Sequence, residues 1–283
     1  MKEYSTAELM AVVCSHELKD NELVFVGVGI PMMAGLVATK THAPDMVILY
    51  EAGGVGAKSR RLPFTISDNP TTDNALMAGE MWRVFADTQC GLVDKGVLGG
   101  AQIDKYGNLN TTVITNGGTM SYEQPANRLP GSGGGNDIAS SCRETIIVMR
   151  LGKTRFVEKV DYITSPGYIT GGEARKEAGL KGGGPIAVIT DKCILRFDPT
   201  SKEMYLAALF PHVTIDDIKG NVQWDLKVAD NIELIAPPLP AYLDHMRKMD
   251  PNGIILGSKT VTKEESFDDF YQKMKNAYNS TNI

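Results

Sequence analysis

"ELVFVGVGIPMMAGLVATKTHAPDMVILY", residues 22–50, decides how this chain is built. Its opening apolar run breaks at Gly27 and Gly29, and Pro31 stands where a helix begins. Proline suits that position because its φ is already helical and its missing N–H is not needed there. The residues from Met32 carry the helix on, and Met46–Tyr50 is a second buried run. Strand, helix, strand, with strands apolar throughout rather than alternating, marks a parallel sheet covered on both faces. The expected fold is therefore α/β: an open, mostly parallel sheet with helices on both faces.

The flanks agree. Upstream, Ser5 and Glu8 form a capping-box pattern, followed by Leu9, Val12, Val13 and Leu18 at helical spacing. Downstream, the spacing predicts a helix over 71–89 and strands over 97–104, 108–114 and 144–150. "RLPGSGGGNDIASS" (128–141) is a glycine loop that leads into a short helix. Farther on, "PIAVITDKCILRFD" (185–198) predicts a β-hairpin turning near Asp191 and Lys192, with "EMYLAALFP" (203–211) beside it. A helix over 239–249 stops at Pro251–Gly253, and the tail from Lys263 predicts a charged amphipathic helix that frays at its end. No repeat or linker interrupts the chain, so one domain is expected over 1–260 with a helical tail over 261–283.

Composition narrows the function. Hydrophobic content of 42%, charged content of 22% and a net charge of −5 describe an ordinary globular chain with no electrostatic footprint for nucleic acid or anionic membrane. The N-terminal residues hold neither a signal h-region nor a span of about 18 apolar residues, so a cytoplasmic protein is expected. Cys14, Cys90, Cys142 and Cys193 are far apart, which argues against zinc, and no metal site is expected. Glycine patterns invite a phosphate-site reading, but "GGVGAKS" (53–59) lacks the adjacent Gly-Lys of a P-loop. "GKT" (152–154) has Ile147 where that motif needs glycine, and Met32 spoils G-x-G-x-x-G in 27–32. The four histidines flank no serine or cysteine nucleophile motif and read as surface or hydrogen-bonded residues. Arg128, Arg143, Arg155 and Lys159 flank the second glycine loop; singly they read as solvated charges, together as an anion-binding group.

Glu51 stands apart. It follows the second strand directly, and Gly53, Gly54 and Gly56 come after it. The C-terminal ends of parallel strands are where open α/β sheets bind ligands, although strand-end carboxylates also serve as plain caps or ion-pair partners. Without a second acid nearby or a metal cluster, a lone carboxylate suits covalent catalysis better than paired acid–base work. Attack on an acyl thioester would expel a thiolate about 4 pKa units more basic than the carboxylic acid, an uphill step of about 5–6 kcal/mol. Oxyanion donors, each contributing about 3–4 kcal/mol, and binding energy from a large remote handle would offset it. "GSGGGND" (131–137) offers backbone N–H groups of that kind.

"YEAGG" (50–54), "GGAQIDKYGNLN" (99–110), "GSGGGND" (131–137) and "KVDYITSPGY" (159–168), in this order, resemble the β subunits of class I coenzyme A transferases, most closely the glutaconate type. The likeness runs through "VITDKCILRFD", "EMYLAALFP" and "DPNG" (250–253), nearly all of the chain but the tail. It implies the family's open α/β sheet and makes Glu51 the nucleophile, passing through an acyl-glutamyl anhydride and a glutamyl-CoA thioester. Gly134 and Gly135 in the second loop are implied to help form the oxyanion hole or the CoA path, and Gly53 and Gly54 beside Glu51, with Gly133 and Asn136, are implied to bind coenzyme A. Coenzyme A is then a substrate and a transient covalent adduct, with no permanently bound cofactor. Where the family commonly has serine after the glutamate, this chain has Ala52, so a local hydroxyl is missing. The resemblance covers the β part alone, which implies an α-type partner subunit, acyl-CoA and carboxylic acid substrates, and no nucleic acid or membrane partner. Residues 65–82 are expected to wall the substrate pocket. Hydrolysis or decarboxylation of an acyl-CoA on the same fold, or a non-catalytic acyl-CoA-binding role, stay open at this point.

Overall fold

Residues 22–50 form the strand, helix and strand that their pattern dictates. The computed structural model describes residues 4–59, 61–115, 123–257 and 266–279. In it, α1 (Thr6–His16) precedes β1 (Leu23–Val26), α2 (Ile30–Lys40) and β2 (Val47–Leu49). β1 and β2 pair in parallel, Leu23 opposite Val47 and Phe25 opposite Leu49. Ser5 caps α1: its N–H donates to Glu8 Oε2 at 2.6 Å, and Glu8 N–H donates to Ser5 Oγ at 3.1 Å. Pro31 lies in the first turn of α2. Leu9, Val12 and Val13 of α1, Met32, Met33 and Val37 of α2, and Val24–Val26 of β1 are buried.

β2 is extended by antiparallel pairing with β3 (Gly54–Val55), and β3 by antiparallel pairing with β4 (Met77–Ala78). The helix expected over 71–89 forms only in its second half, as α3 (Met81–Gln89). Asp68 and Pro70 instead wind Asn69–Thr72 into a 3₁₀ turn, Asn74 takes a φ of +48°, and β3 recruits Met77 and Ala78 into a ladder. Tertiary pairing here overrides a helical apolar spacing.

The described residues of 1–84 and 237–283 make one compact unit, and those of 85–236 another. The second contains β5 (Lys95–Leu98), β6 (Gln102–Ile103), β7 (Leu109–Asn110), β8 (Val113–Ile114), β9 (Asn127–Arg128), α4 (Gly135–Ser141) and β10 (Glu144–Val148). It continues with α5 (Ala174–Glu177), β11 (Pro185–Ile189), β12 (Cys193–Phe197), β13 (Met204–Leu209), α6 (Ile215–Lys219) and β14 (Lys227–Leu234). β10 pairs in parallel with both β5 and β11, while β12 and β13 add antiparallel strands, forming the expected hairpin region.

The strands expected over 97–104 and 108–114 are each cut in two. β6 pairs with β7, and β8 with β9, as small antiparallel ladders. Asn110 ends β7, because its Oδ1 accepts from Thr112 N–H at 2.9 Å and its Nδ2 donates to Val113 O at 2.7 Å. Such side-chain bonds compete with the sheet for the backbone. β14, parallel to β13, escapes sequence reading because most of its residues are exposed and three, Lys227, Asp230 and Glu233, are charged. The core of this unit joins Ile103, Leu109, Ile147, Phe156, Val188, Leu195 and Leu206 with Ile218 of α6.

After β14, α7 (Pro240–Met249) ends as Asp250 accepts the N–H groups of Ile254, Ile255 and Leu256 at 2.7–2.9 Å. α8 (Phe267–Asn279) is the tail helix; its expected fraying end, 280–283, lies outside the described residues. None of the described helices is long and apolar enough to cross a membrane.

Candidate active site

Glu51 occupies the first corner of a four-residue turn. Gly53 N–H donates to Tyr50 O at 3.0 Å, and Tyr50 N–H donates to Gly54 O at 2.8 Å, so Tyr50–Gly53 reverses the chain between β2 and β3. Gly56 N–H to Ile48 O at 2.8 Å closes the next rung. The Tyr50 ring is fully buried and anchors the turn from inside. Glu51 itself is half-buried, and among the described residues its carboxylate has no hydrogen-bond or ion-pair partner.

Gly53 and Gly54 are glycines for a reason beyond ligand access. Gly53 has a φ of +119°, and a Cβ there would lie 2.1 Å from Gly79 O. A Cβ on Gly54 would lie 2.0 Å from Thr71 O. Gly79 N–H donates to Gly53 O at 2.9 Å, so residues 71–79 of the expected pocket wall bear directly on the turn that carries Glu51. Beyond them Met81 and Trp82 are exposed, and Trp82 Nε1 donates to Glu80 Oε2 at 2.7 Å.

Asp68 holds the start of this wall. Its carboxylate takes a two-pronged contact from Arg61, at 2.8 and 3.0 Å, and accepts the N–H groups of Phe64 and Asn69. Burial pushes its pKa up, but Arg61 and the two N–H donors together outweigh burial and hold it below the usual carboxylate value. A depressed carboxylate adds stability that is present above its ordinary pKa and lost as pH falls through the lowered one. Asp68→Asn is therefore expected to cost about 1–2 kcal/mol at pH 7. In denaturant unfolding of both proteins, that gap should close as pH drops below about 4.

The second loop lies in the other unit. Gly133 has a φ of +49°, and Gly134 immediately precedes α4. Gly135 N–H turns back to Ser132 O at 2.8 Å, so it is engaged within the loop. Asn136 Nδ2 donates to Thr164 O at 2.8 Å, which makes this side chain a tether for α4. The sequence-predicted residues thus fall into two local groups: Glu51, Gly53 and Gly54 in one turn, and Gly133–Asn136 in another. Of the basic group flanking this loop, Arg143 is occupied, with Nη1 on Asp94 Oδ1 at 2.9 Å and Nε on Gly91 O at 3.2 Å. No cluster of three metal-ligating side chains occurs among the described residues.

Asp104 and Asn108, within the 99–110 stretch, form a buried pair that the sequence motifs do not single out. Asn108, fully buried, bonds Asp104 through both carboxylate oxygens, donates to Ile169 O, and accepts from Gly167 and Ile169 N–H at 2.9 and 3.1 Å. It fastens "GGAQIDKYGNLN" (99–110) to "SPGY" (165–168), two stretches that carry the family resemblance. Burial lifts the Asp104 carboxyl above its usual value, against the bonds it accepts from Asn108 and Tyr106. Asn108→Ala leaves the buried Gly167 N–H and the part-buried Ile169 N–H without their acceptor and should cost about 3 kcal/mol in unfolding free energy. The D-x-x-x-N spacing, an acid and an amide across one tight turn, is the signal that could have revealed the pair.

The profile of the family described as coenzyme A transferase matches residues 7–221. The chain belongs to the coenzyme A transferase family. It is 39% identical to the B subunit of 3-oxoadipate CoA-transferase from Pseudomonas knackmussii, over 88% of this chain and 95% of that protein. It is 36% identical to the B subunit of glutaconate CoA-transferase from Acidaminococcus fermentans, over 92% and 98% of the two chains. The crystal structure of the Acidaminococcus glutaconate enzyme superposes with a TM-score of 0.83 at 34% identity, covering 91% of this chain and 99% of the other. The fold is thus that of the glutaconate enzyme, and the chain is a β-type CoA-transferase subunit for which coenzyme A is a substrate.

Proposed function

We propose that this chain is the β subunit of a heteromeric CoA-transferase that exchanges coenzyme A between an acyl-CoA and a small dicarboxylic acid. Its β-type domain is residues 1–260, and an α-type subunit is its partner, a pairing supported by relatives that are themselves one subunit of a larger enzyme. Both relatives are named for dicarboxylic acids of five or six carbons, which supports that substrate class. The observation that carries the reading is the Glu51 carboxylate, half-buried and, among the described residues, unpartnered at the corner of a turn whose glycines cannot be replaced without collision.

In this reading a Glu51 carboxylate oxygen attacks the thioester carbon, the C–S bond breaks, and CoA thiolate leaves a mixed anhydride. The thiolate then attacks the glutamyl carbonyl and releases the first acid, leaving Glu51 as its CoA thioester. An acceptor carboxylate repeats the two steps in reverse, departs as its own CoA ester and frees Glu51. One thioester is exchanged for another, so the cycle needs no external energy source. The loop Gly133–Asn136 serves the CoA side of this chemistry, Gly53 and Gly54 hold the nucleophile's turn, and residues 65–82 wall the acyl pocket.

The test is exchange by the chain copurified with its α-type partner. Donor acyl-CoA and a panel of acids should yield acceptor-CoA in step with donor loss, faster for dicarboxylates than for monocarboxylates. Release of free CoA without acceptor-CoA, or of CO₂, would replace the transferase reading with hydrolysis or decarboxylation.

A further inference from the structure

Arg175 is 5% exposed, yet no carboxylate pairs with it among the described residues. A buried cation without an acid partner is costly unless its donors are satisfied. Here every bond goes to backbone carbonyls. Nη2 donates to Ala139 O at 2.6 Å and reaches Ser140 O at 3.4 Å; Nη1 donates to Pro166 O at 3.1 Å and Gly167 O at 2.8 Å; Nε donates to Gly182 O at 2.7 Å. Ala139 and Ser140 lie at the end of α4, where carbonyls lack helical partners and a positive charge is favourable.

The other end of α4 is tied to the same neighbouring segment. Asn136 holds Thr164 O, while the Arg175 guanidinium holds Pro166 and Gly167 two and three residues on. Gly135 lies so close to Ser165 that a Cβ would come within 3.2 Å of its Oγ. The 164–169 segment is itself fixed, by Leu109 N–H to Ser165 O at 2.9 Å and by Asn108 Oδ1 from Gly167 and Ile169 N–H. α4 is therefore clamped at both ends to one rigid stretch, which sets where the glycine loop leading into it must lie.

We propose that Arg175 is a positioning residue for CoA transfer, fixing α4 and with it the loop Gly133–Gly135. This rests on the role proposed above for that loop. Rigid placement matters because a shift of about 1 Å at a site can cost about 100-fold in rate. Lysine at this position carries the charge but cannot fork to the carbonyls of three segments at once.

The test uses the chain assembled with its α-type partner, comparing wild type, Arg175→Lys, and Arg175→Ala with and without guanidinium ion. The readout is the single-turnover rate of glutamyl-CoA formation, set beside the Kd for acyl-CoA and the melting temperature. We expect both variants to assemble and to bind acyl-CoA within about threefold of wild type, with the rate lowered about 100-fold. Guanidinium, but not ammonium, should restore part of the Arg175→Ala rate. An unchanged rate in assembled Arg175→Lys overturns the proposal. So does failure of both variants to assemble, which would make Arg175 a folding residue. If wild type itself forms no glutamyl-CoA, the function proposed above fails before Arg175 is tested.

Discussion

Glu51→Ala should abolish CoA transfer, lowering kcat/KM by about 10,000-fold or more, while the complex assembles and melts as wild type does. Removal of a covalent nucleophile routinely has effects of this order because no other group can take over the bond it forms. At about 1.4 kcal/mol per decade, the loss is more than 5 kcal/mol of transition-state stabilisation. Stability should hardly change, because among the described residues the carboxylate has no partner to lose and the turn is closed by backbone bonds of Tyr50, Gly53 and Gly54. Steady-state exchange assays paired with thermal melting separate the two. Retained turnover in Glu51→Ala would leave the carboxylate a strand-end ornament and the whole chain a scaffold.

Gly53→Ala should act through the same turn by a different physical route. The new methyl would meet Gly79 O at 2.1 Å, and the φ of +119° is one that L-residues rarely adopt. Backbone strain and overpacking each cost about 1–3 kcal/mol, so about 4 kcal/mol in total is expected. The strain can relax only if Tyr50–Gly53 moves away from Gly79, which also moves Glu51. Chemical denaturation should show the lost stability, and the variant that remains folded should transfer CoA far more slowly. A stable, active Gly53→Ala protein would show that the turn is more pliant than its packing implies.

How much of this was legible beforehand depends on the range of the forces involved. The pairing of β1 with β2, the box at Ser5 and Glu8 and the hairpin near Asp191 are local consequences of apolar period, capping and turn chemistry, and all form as expected. The helix over 71–80 did not form, because Gly53 and Gly54 draw residues 71–79 into backbone contact across the turn, which local periodicity cannot register. β14 was missed because an exposed, charged strand carries little hydrophobic pattern. At the site, Glu51 announced itself as an acid after a buried strand. Gly53 and Gly54 were expected on the CoA side of the site; that their missing side chains also let the backbone of Gly79 and Thr71 close in is a long-range contact that local sequence does not register. Arg175 gave no signal at all, since its partners lie on three separate segments of the chain.

The central claim is a covalent glutamyl thioester, and intact and peptide mass spectrometry test it most directly. The chain, held with its α-type partner, would be incubated with acyl-CoA and no acceptor acid, then digested rapidly at low pH. A CoA-sized addition on the peptide containing Glu51, absent from Glu51→Ala and lost on adding acceptor, is the predicted result. Steady release of free CoA with an unmodified Glu51 peptide, continuing in Glu51→Ala, would contradict it and mean that the family's fold carries different chemistry in this chain.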